Sequence, residues 1–321
     1  MRRRLLALLL ALPFAPLTAG AVRAEYPERP IRMIVPFPPG GVTDVVARVT
    51  AERLSADLGQ QVIVENKAGA GSVIGAEAVA RSAPDGYTIL LTTPAHTINA
   101  ALRTAMPYDA EKDLAPISVI GQVPMLLVAH PTLPVGDFPA FVDYARRNPG
   151  KINVSHAGNG TLPHVTMELL MVKERLQVTN VPYRGAAPAL ADLVAGQVQA
   201  KLDTYATSAQ FIADKRLKPL AVTSAKRLKQ LPEVATVAET VPGVEGYLWM
   251  GIVAPAGTPA AVLDKLASAA RRAVARPEVQ ARFDKDGVEP VGSGGPEFKT
   301  QIAREIAQWR ELAKQAEIKI E

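Results

Sequence analysis

The stretch at residues 36–44, Pro-Phe-Pro-Pro-Gly-Gly-Val-Thr-Asp, separates an apolar segment from a helical pattern. Its prolines cannot extend a β-ladder, so a strand must end here. Gly40 and Gly41 have no Cβ atom, which lets backbone amides approach a bound group closely. Thr43 or Asp44 can cap the following helix, whose N-terminal amides and dipole favour an anion. The stretch is therefore either a plain helix cap or a cradle for phosphate, sulfate or carboxylate.

A second loop of the same kind occupies residues 155–161, Ser-His-Ala-Gly-Asn-Gly-Thr. Gly158 and Gly160 permit close backbone approach. Thr161 can cap the next helix or bind a ligand, and His164 lies just beyond. If the two loops face each other across a cleft, two helix N-termini would suit a ligand with two carboxylates. Each bond from an amide to a carboxylate would be charge-assisted and stronger than a neutral hydrogen bond.

Three further strand ends carry polar side chains. Thr92 and Thr93 follow an apolar run and would present small hydroxyls to the predicted cleft. Asp203 closes the strand pattern Gln-Ala-Lys-Leu-Asp. It could accept a hydrogen bond from a ligand ammonium or hydroxyl, or cap the Thr204 region. Arg184 could bind a carboxylate through two hydrogen bonds, but we favour a surface salt bridge, because exposed ion pairs are common and carry little meaning.

The sequence offers little for catalysis or metal binding. Its four histidines show no His-Glu-x-x-His spacing and there is no cysteine, so a zinc site is not expected. Ser155 with His156 and His164 would supply a nucleophile and a base, but a Gly-x-Ser-x-Gly motif is absent. The neighbouring Asn159 and Gly160 are more typical of backbone that holds a ligand. We predict no enzyme, cofactor or metal, with a periplasmic hydrolase as the least favoured alternative.

Rigid elements must hold these loops, and the apolar pattern predicts alternating strands and helices. The predicted strands are 31–36, 61–65, 87–92, 125–129, 153–155, 179–182, 199–203, 220–223 and 251–254. The predicted helices are 44–58, 72–81, 137–147, 163–174, 188–195, 259–275 and 296–315. Alternating βαβ units with apolar strands predict parallel sheets covered by helices on both faces.

The order of the elements predicts an α/β protein with two lobes and a ligand cleft between them. Residues 25–123 with 225–321 form the first predicted lobe, and residues 124–224 form the second. The chain would cross between them near 122–124 and near 224–231, which makes a hinge. Ligands of open α/β sheets bind at the carboxyl ends of the strands.

The N-terminus and the net charge limit where the protein works. Residues 1–24 combine three arginines, an apolar run and a Val-Arg-Ala site, the pattern of a secretory signal peptide. A membrane anchor is the weaker alternative, because the apolar run is shorter than the ~20 residues of a spanning helix. Without the four arginines of this leader, 36 basic residues become 32 against 31 acidic ones, so charge does not favour nucleic-acid binding. We expect a periplasmic protein.

Five stretches, taken in order, resemble the Bug family of extracytoplasmic solute receptors, the substrate-binding component of tripartite tricarboxylate transporters. They are YPERPIRMIVPFPPGGVTDVVAR, ENKAGAGSVIGAEAVARSAPDGYTILL, MPYDAEKDLAPIS, VPYRGAAPALADLVAGQV and APAGTPAAV. The resemblance covers nearly the whole chain after the leader. It implies a type II-like periplasmic-binding-protein fold whose two parallel-sheet-based lobes close on a small carboxylate: a di- or tricarboxylate, an acidic amino acid or an aromatic carboxylate.

The resemblance also implies a binding site and partners. Its ligand-binding residues would be Phe37, Gly40, Gly41, Thr43, Asp44, Thr93, Asn99, Gly158, Gly160, Thr161, His164 and Asp203. The family's second loop usually has a serine where this chain has His156, whose longer imidazole can donate or accept. His156 would contact another ligand group, such as a ring nitrogen or a second carboxylate, or fill space. The protein would act as a monomer, and its partner would be a membrane transporter or, as the alternative, a sensor histidine kinase.

Overall fold

The computed structural model describes residues 25–316, so the predicted signal peptide at 1–24 lies outside the described residues. Within them the chain forms two β-sheets of six and five strands, with helices packed against them. The prediction of a two-lobed α/β protein is confirmed. None of the helices in this range is both long enough and apolar enough to cross a membrane.

The elements follow one another in three stretches. The first contains β1 (Ile31–Val35), α1 (Val42–Leu58), β2 (Val62–Asn66), α2 (Val73–Ala80), β3 (Thr88–Thr92), α3 (Ala95–Leu102) and β4 (Leu114–Pro124). The second contains β5 (Leu126–Ala129), α4 (Phe138–Arg147), β6 (Asn153–His156), α5 (Leu162–Glu174), β7 (Thr179–Pro182), α6 (Ala186–Val194), β8 (Ala200–Asp203), α7 (Tyr205–Ala213) and β9 (Lys218–Val222). The third contains β10 (Tyr247–Pro255), α8 (Ala260–Ala275), α9 (Pro277–Lys285), β11 (Glu289–Pro290) and α10 (Gly295–Ala316).

The first sheet has the strand order β11-β4-β10-β3-β1-β2. Strand β1 is parallel to both β2 and β3, as the predicted βαβ units require. Strand β10 is antiparallel to β3 and β4, so the expectation of a purely parallel sheet is corrected to a mixed one. The reason is that β10 is the strand that returns from the second lobe, and it therefore enters the sheet from the opposite end.

The second sheet has the order β7-β6-β8-β5-β9 and is mixed for the same reason. Strand β6 is parallel to β7 and β8, whereas β5 is antiparallel to β8 and β9. Strand β5 arrives directly from β4 of the first sheet. In each sheet the strand that enters from the other lobe, β10 in the first sheet and β5 in the second, runs antiparallel to the βαβ strands.

The apolar pattern missed β4, most of β10 and the helices α3, α7 and α9. Strand β4 contains Pro116 and Gly121, residue types that ordinarily argue against a strand interior. The structure accommodates Pro116 opposite Val253, where the register between β4 and β10 shifts. The three missed helices have only eight or nine residues, too few for a clear helical period.

The two chain crossings between the sheets are hydrogen-bonded to each other. The Met125 amide donates to the Thr223 hydroxyl over 2.8 Å, and the Thr223 amide donates to the Met125 carbonyl over 2.9 Å. The Thr223 hydroxyl also donates to the Gly246 carbonyl over 2.6 Å, and the Gly246 amide donates to the Thr223 carbonyl over 3.0 Å. We propose that these three residues form the hinge between the lobes. The second crossing then lies at Gly246 and not at the predicted 224–231, because Leu228, Leu231 and Val237 pack in the core of the second lobe.

The C-terminal helix α10 packs back on the first sheet. Trp249 of β10 donates from Nε1 to both carboxylate oxygens of Glu305, over 2.9 and 3.0 Å. The Thr97 hydroxyl of α3 donates to the same carboxylate over 3.0 Å. Phe298 lies against Gly251, where an added Cβ would come within 2.4 Å of the ring. The C-terminal segment therefore completes the first sheet's layer of helices and does not form a unit of its own.

His96 is a fully buried residue of α3. Its Nε2 lies 3.1 Å from the Ala110 carbonyl, which can only accept, so Nε2 carries the proton and Nδ1 accepts from the Tyr108 hydroxyl over 3.2 Å. Burial lowers the pKa of His96 to about 4. As the pH falls below the ordinary histidine pKa of ~6.5, the unfolded chain binds a proton that the folded protein excludes.

We expect His96 to lower the free energy of unfolding by about 2 kcal/mol between pH 7 and pH 4.5. A His96→Gln variant, which keeps a donor and an acceptor but does not titrate, should lack this part of the pH dependence. Urea denaturation of both proteins across this range measures the difference, and the two should respond alike between pH 7 and 8. Parallel stability curves down to pH 4.5 would contradict the assignment.

Candidate ligand-binding site

A cavity between the two lobes has about 590 Å³ of empty space, part of which opens to solvent. The first lobe contributes Phe37, residues 41–44 and Thr93 to its wall. The second contributes residues 161–163, Ala186 and residues 201–204, while Met125 and Leu248 lie near the hinge. The strand ends that the sequence singled out therefore meet at one place.

Five helices begin at this cavity. The first residues of α1, α5 and α6 are Val42, Leu162 and Ala186, and all three line it. Thr93 and Thr204, which also line it, come just before α3 and α7. Each helix N-terminus carries the equivalent of roughly half a positive charge. The cavity is therefore suited to an anion, as the sequence predicted for two of these helices.

The first turn of α1 supplies unbonded donors. The backbone amides of Gly41, Val42 and Thr43 donate to no acceptor within residues 25–316. The first four amides of any helix lack a partner inside the helix, and here all four, at residues 41–44, belong to residues that line the cavity. A carboxylate oxygen is a natural acceptor for such amides.

The side chain of Asp44 lines the cavity but is already fully engaged. Arg48 donates to both of its oxygens, over 3.0 and 3.1 Å. The Asn66 amide donates over 2.9 Å and the backbone amide of Gly40 over 3.2 Å. Burial alone would raise the pKa of Asp44, but these hydrogen bonds hold it below its ordinary value. Asp44 therefore fixes the loop that ends at α1, and its charge is balanced by Arg48.

The backbone of the facing loop donates hydrogen bonds to two neighbouring histidines, whose rings are tilted by 37°. His156 Nδ1 accepts from the Gly158 amide over 3.3 Å, and His164 Nδ1 accepts from the Gly160 amide over a long 3.5 Å. The two rings lie 4.7 Å apart. Burial lowers the pKa of His156 to about 3, helped by His164, and burial also lowers the pKa of His164. Both imidazoles are neutral at pH 7, which leaves each Nδ1 able to accept.

The two lobes touch next to the cavity. The Asn99 side chain donates to the Gly160 carbonyl of the second lobe over 3.3 Å and to the Gly71 carbonyl of the first over 3.0 Å. A Cβ on Gly71 would lie 2.0 Å from the Asn159 carbonyl oxygen, and a Cβ on Gly160 would lie 2.3 Å from Asn99 Oδ1. Glycine at these positions is what allows the lobes to come together in this structure.

The structure brings part of the predicted site to the cavity and places the rest around it. The predicted residues that line the cavity are Phe37, Gly41, Thr43, Asp44, Thr93, Thr161 and Asp203. Those that support the loops or the lobe contact are Gly40, Asn99, His156, Gly158, Gly160 and His164. Arg184 is exposed at an adjoining groove. Within residues 25–316, no three side chains are grouped so as to hold a metal ion.

Sequence reasoning missed Lys201, which lines the cavity while being only 1% exposed. Its Nζ donates to Asp203 Oδ1 over 2.5 Å, and Asp203 Oδ2 accepts from the Ser208 hydroxyl over 2.7 Å. The strand pattern did indicate this position, because residues two apart in a strand point to the same side of the sheet. Lys201 therefore lies on the same side as Asp203, which the sequence had singled out. The N-terminus of α6 at Ala186 was missed as well.

Comparison with known proteins gives one family. Residues 46–318 match the family described as the tripartite tricarboxylate transporter family receptor. The periplasmic binding protein BugD has a similar structure, with 37% identity and a TM-score of 0.88 over 92% of this chain and 99% of that chain. An R. palustris protein solved with adipate is 34% identical, with a TM-score of 0.88 over the same shares. MatC from Rhodopseudomonas palustris, solved with malate, is 31% identical, with a TM-score of 0.85 over 89% and 99%.

The lobe contact can be tested with a matched pair of glycine variants. Gly160 and Gly150 both have positive φ, at 78° and 72°, so alanine costs ~1–2 kcal/mol at either position. Only at Gly160 does the added Cβ collide, with Asn99 across the lobe contact, whereas nothing lies within 4 Å at Gly150. We expect Gly160→Ala to increase the radius of gyration in small-angle X-ray scattering. Gly150→Ala should scatter like the unchanged protein, and identical profiles for both variants would refute the role of this contact.

Proposed function

We propose, since the chain belongs to the tripartite tricarboxylate transporter receptor family of periplasmic solute-binding proteins, that it captures a small carboxylate between its lobes and delivers it to a membrane transporter. The resemblance to the Bug family that the sequence indicated is confirmed by the similarity to BugD. We further propose that the chain binds its ligand without changing it and acts in the periplasm as a monomer.

One observation carries this proposal: the unbonded amides of Gly41, Val42 and Thr43 lie where the N-termini of other helices also point. Water could satisfy such amides in an open cleft. In a closed cavity an anion is the better partner, because hydrogen bonds to a charged acceptor are stronger than neutral ones. We propose that one ligand carboxylate binds these three amides.

Hydroxyls and apolar side chains would complete the binding of the ligand. The Thr93 hydroxyl accepts from the Ala95 amide over 3.3 Å, so its own proton is available to a ligand oxygen. The Thr43 side chain lines the cavity beside the α1 amides. Phe37 and Leu248 supply apolar surface for a carbon skeleton. The adipate and malate of the two R. palustris proteins are small carboxylates of this kind, which supports the assignment.

Closure would couple binding to delivery. Residues of both lobes line the cavity, so a ligand that contacts both favours the closed arrangement over the open one. The closed arrangement presents a different surface to the transporter than the open one does. In this scheme the transporter recognises the loaded receptor by its shape.

The role of the α1 amides can be tested by removing one N–H. Val42 is the first helical residue, a position that tolerates proline, and Gly41 before it is extended at φ −84° and ψ 165°, as a residue before proline must be. We expect Val42→Pro to weaken binding of the best ligand by about tenfold or more, because it removes a charge-assisted hydrogen bond. Isothermal calorimetry against malate, succinate, adipate, citrate, aspartate and benzoate measures the affinities.

The matched control is Val42→Ala, which removes more of the buried side chain than proline does but keeps the amide. It should bind at least several-fold more tightly than Val42→Pro. Equal affinities of the two folded variants would rule out the amide as a ligand contact. Binding of no carboxylate in the panel to unchanged, ligand-free protein would contradict the proposed function itself.

A further inference from the structure

We propose that Lys201 makes this cavity select carboxylates that lack an amino group. Its ammonium binds the Asp203 carboxylate, which would otherwise hold a ligand ammonium. The same ammonium also donates a hydrogen bond to the ligand. This inference rests on the proposed function, which it narrows from carboxylates in general to organic acids without an α-amino group. Acidic amino acids, which the sequence left open, are then poor ligands.

Lys201 is a buried cation in contact with the cavity. Its side chain is only 1% exposed, and it lies on β8 between β5 and β6 in the middle of the second sheet. Nζ donates to Asp203 Oδ1 over 2.5 Å and approaches the Leu202 carbonyl at 3.4 Å. An ammonium has three N–H groups, and the third has no acceptor within residues 25–316. A buried donor without a partner is costly, so a ligand oxygen beside Nζ is stabilised.

No acidic side chain of the cavity is left for a ligand ammonium. Asp203 accepts from Lys201 at one oxygen and from the Ser208 hydroxyl, over 2.7 Å, at the other. Asp44 is paired with Arg48 and accepts two further hydrogen bonds. An amino acid would have to bury its ammonium beside Lys201 and the N-termini of several helices. Burying a charge without an opposite partner is strongly unfavourable.

The charge arrangement instead fits an anionic or strongly accepting group at each end of the ligand. One carboxylate would bind the amides of Gly41, Val42 and Thr43, and a second oxygen-bearing group would bind Lys201. Lys201 is then a residue that determines specificity and touches the ligand, whereas Asp203 and Ser208 position its ammonium.

Three matched pairs of ligands test the selection directly: succinate with aspartate, adipate with 2-aminoadipate, and 3-phenylpropanoate with phenylalanine. Within a pair the carbon skeleton is the same and only the amino group differs. For the unchanged protein, calorimetry should give at least about tenfold tighter binding of the amino-free member of any pair that binds. Equal or tighter binding of the amino acid would overturn the inference while leaving carboxylate binding intact. Binding of none of the six compounds would instead count against the proposed function.

A Lys201→Met variant tests whether Lys201 is the cause. It frees Asp203 Oδ1, so the amino-free member should lose about tenfold in affinity while the amino acid keeps or gains affinity. The ratio within the pair should fall accordingly. Lys201→Arg, which keeps a cation beside Asp203, should restore the preference for the amino-free member. An unchanged ratio in a folded Lys201→Met protein would overturn the inference, and if that variant does not fold, the ratio measured on the unchanged protein still decides.

Discussion

One electrostatic feature dominates the centre of this protein: the positive ends of five helices meet at the cavity between the two lobes. Bringing them together is unfavourable unless water or an anion satisfies the amides. Because these helices belong to both lobes, the partner that satisfies them also holds the lobes together. The paired charges of Asp44 with Arg48 and of Lys201 with Asp203 leave the acidic side chains of the cavity balanced, so they do not cancel this positive field.

The close contact between the lobes depends on residues that do not touch the cavity. Asn99 bridges carbonyls of both lobes, and Gly71 and Gly160 leave no room there for any side chain. His156 and His164, which do not line the cavity, accept hydrogen bonds from the backbone of the second loop. Under the proposed function, the lining residues would set which ligand fits, whereas the residues around them allow the close lobe contact seen here.

Local sequence predicted the loops but not their tertiary partners. Proline and glycine punctuation located the starts of α1 and α5, because turn chemistry is read within a few residues. The role of Asp44 depends on Asn66, which is 22 positions away, and that of Gly160 on Asn99 in the other lobe. The order of the strands could not be predicted from local sequence for a similar reason. Strand β10 joins the first sheet only after the chain has passed through the whole second lobe. The sequence places Lys201 in an alternating strand pattern, but it does not predict that the side chain is buried.

The hydrogen bonds of Thr223 limit how the two lobes can move relative to each other. Thr223 joins the two crossings through both its backbone and its side chain, so the segments that link the lobes cannot move independently. Two separate connections would allow the lobes to twist and slide as well as to close. Two connections tied at one buried residue limit sliding, so the relative motion of the lobes is mainly a rotation about this residue. Under the proposed function, ligand binding in the cavity would set the angle between the lobes, and the membrane transporter would recognise that angle.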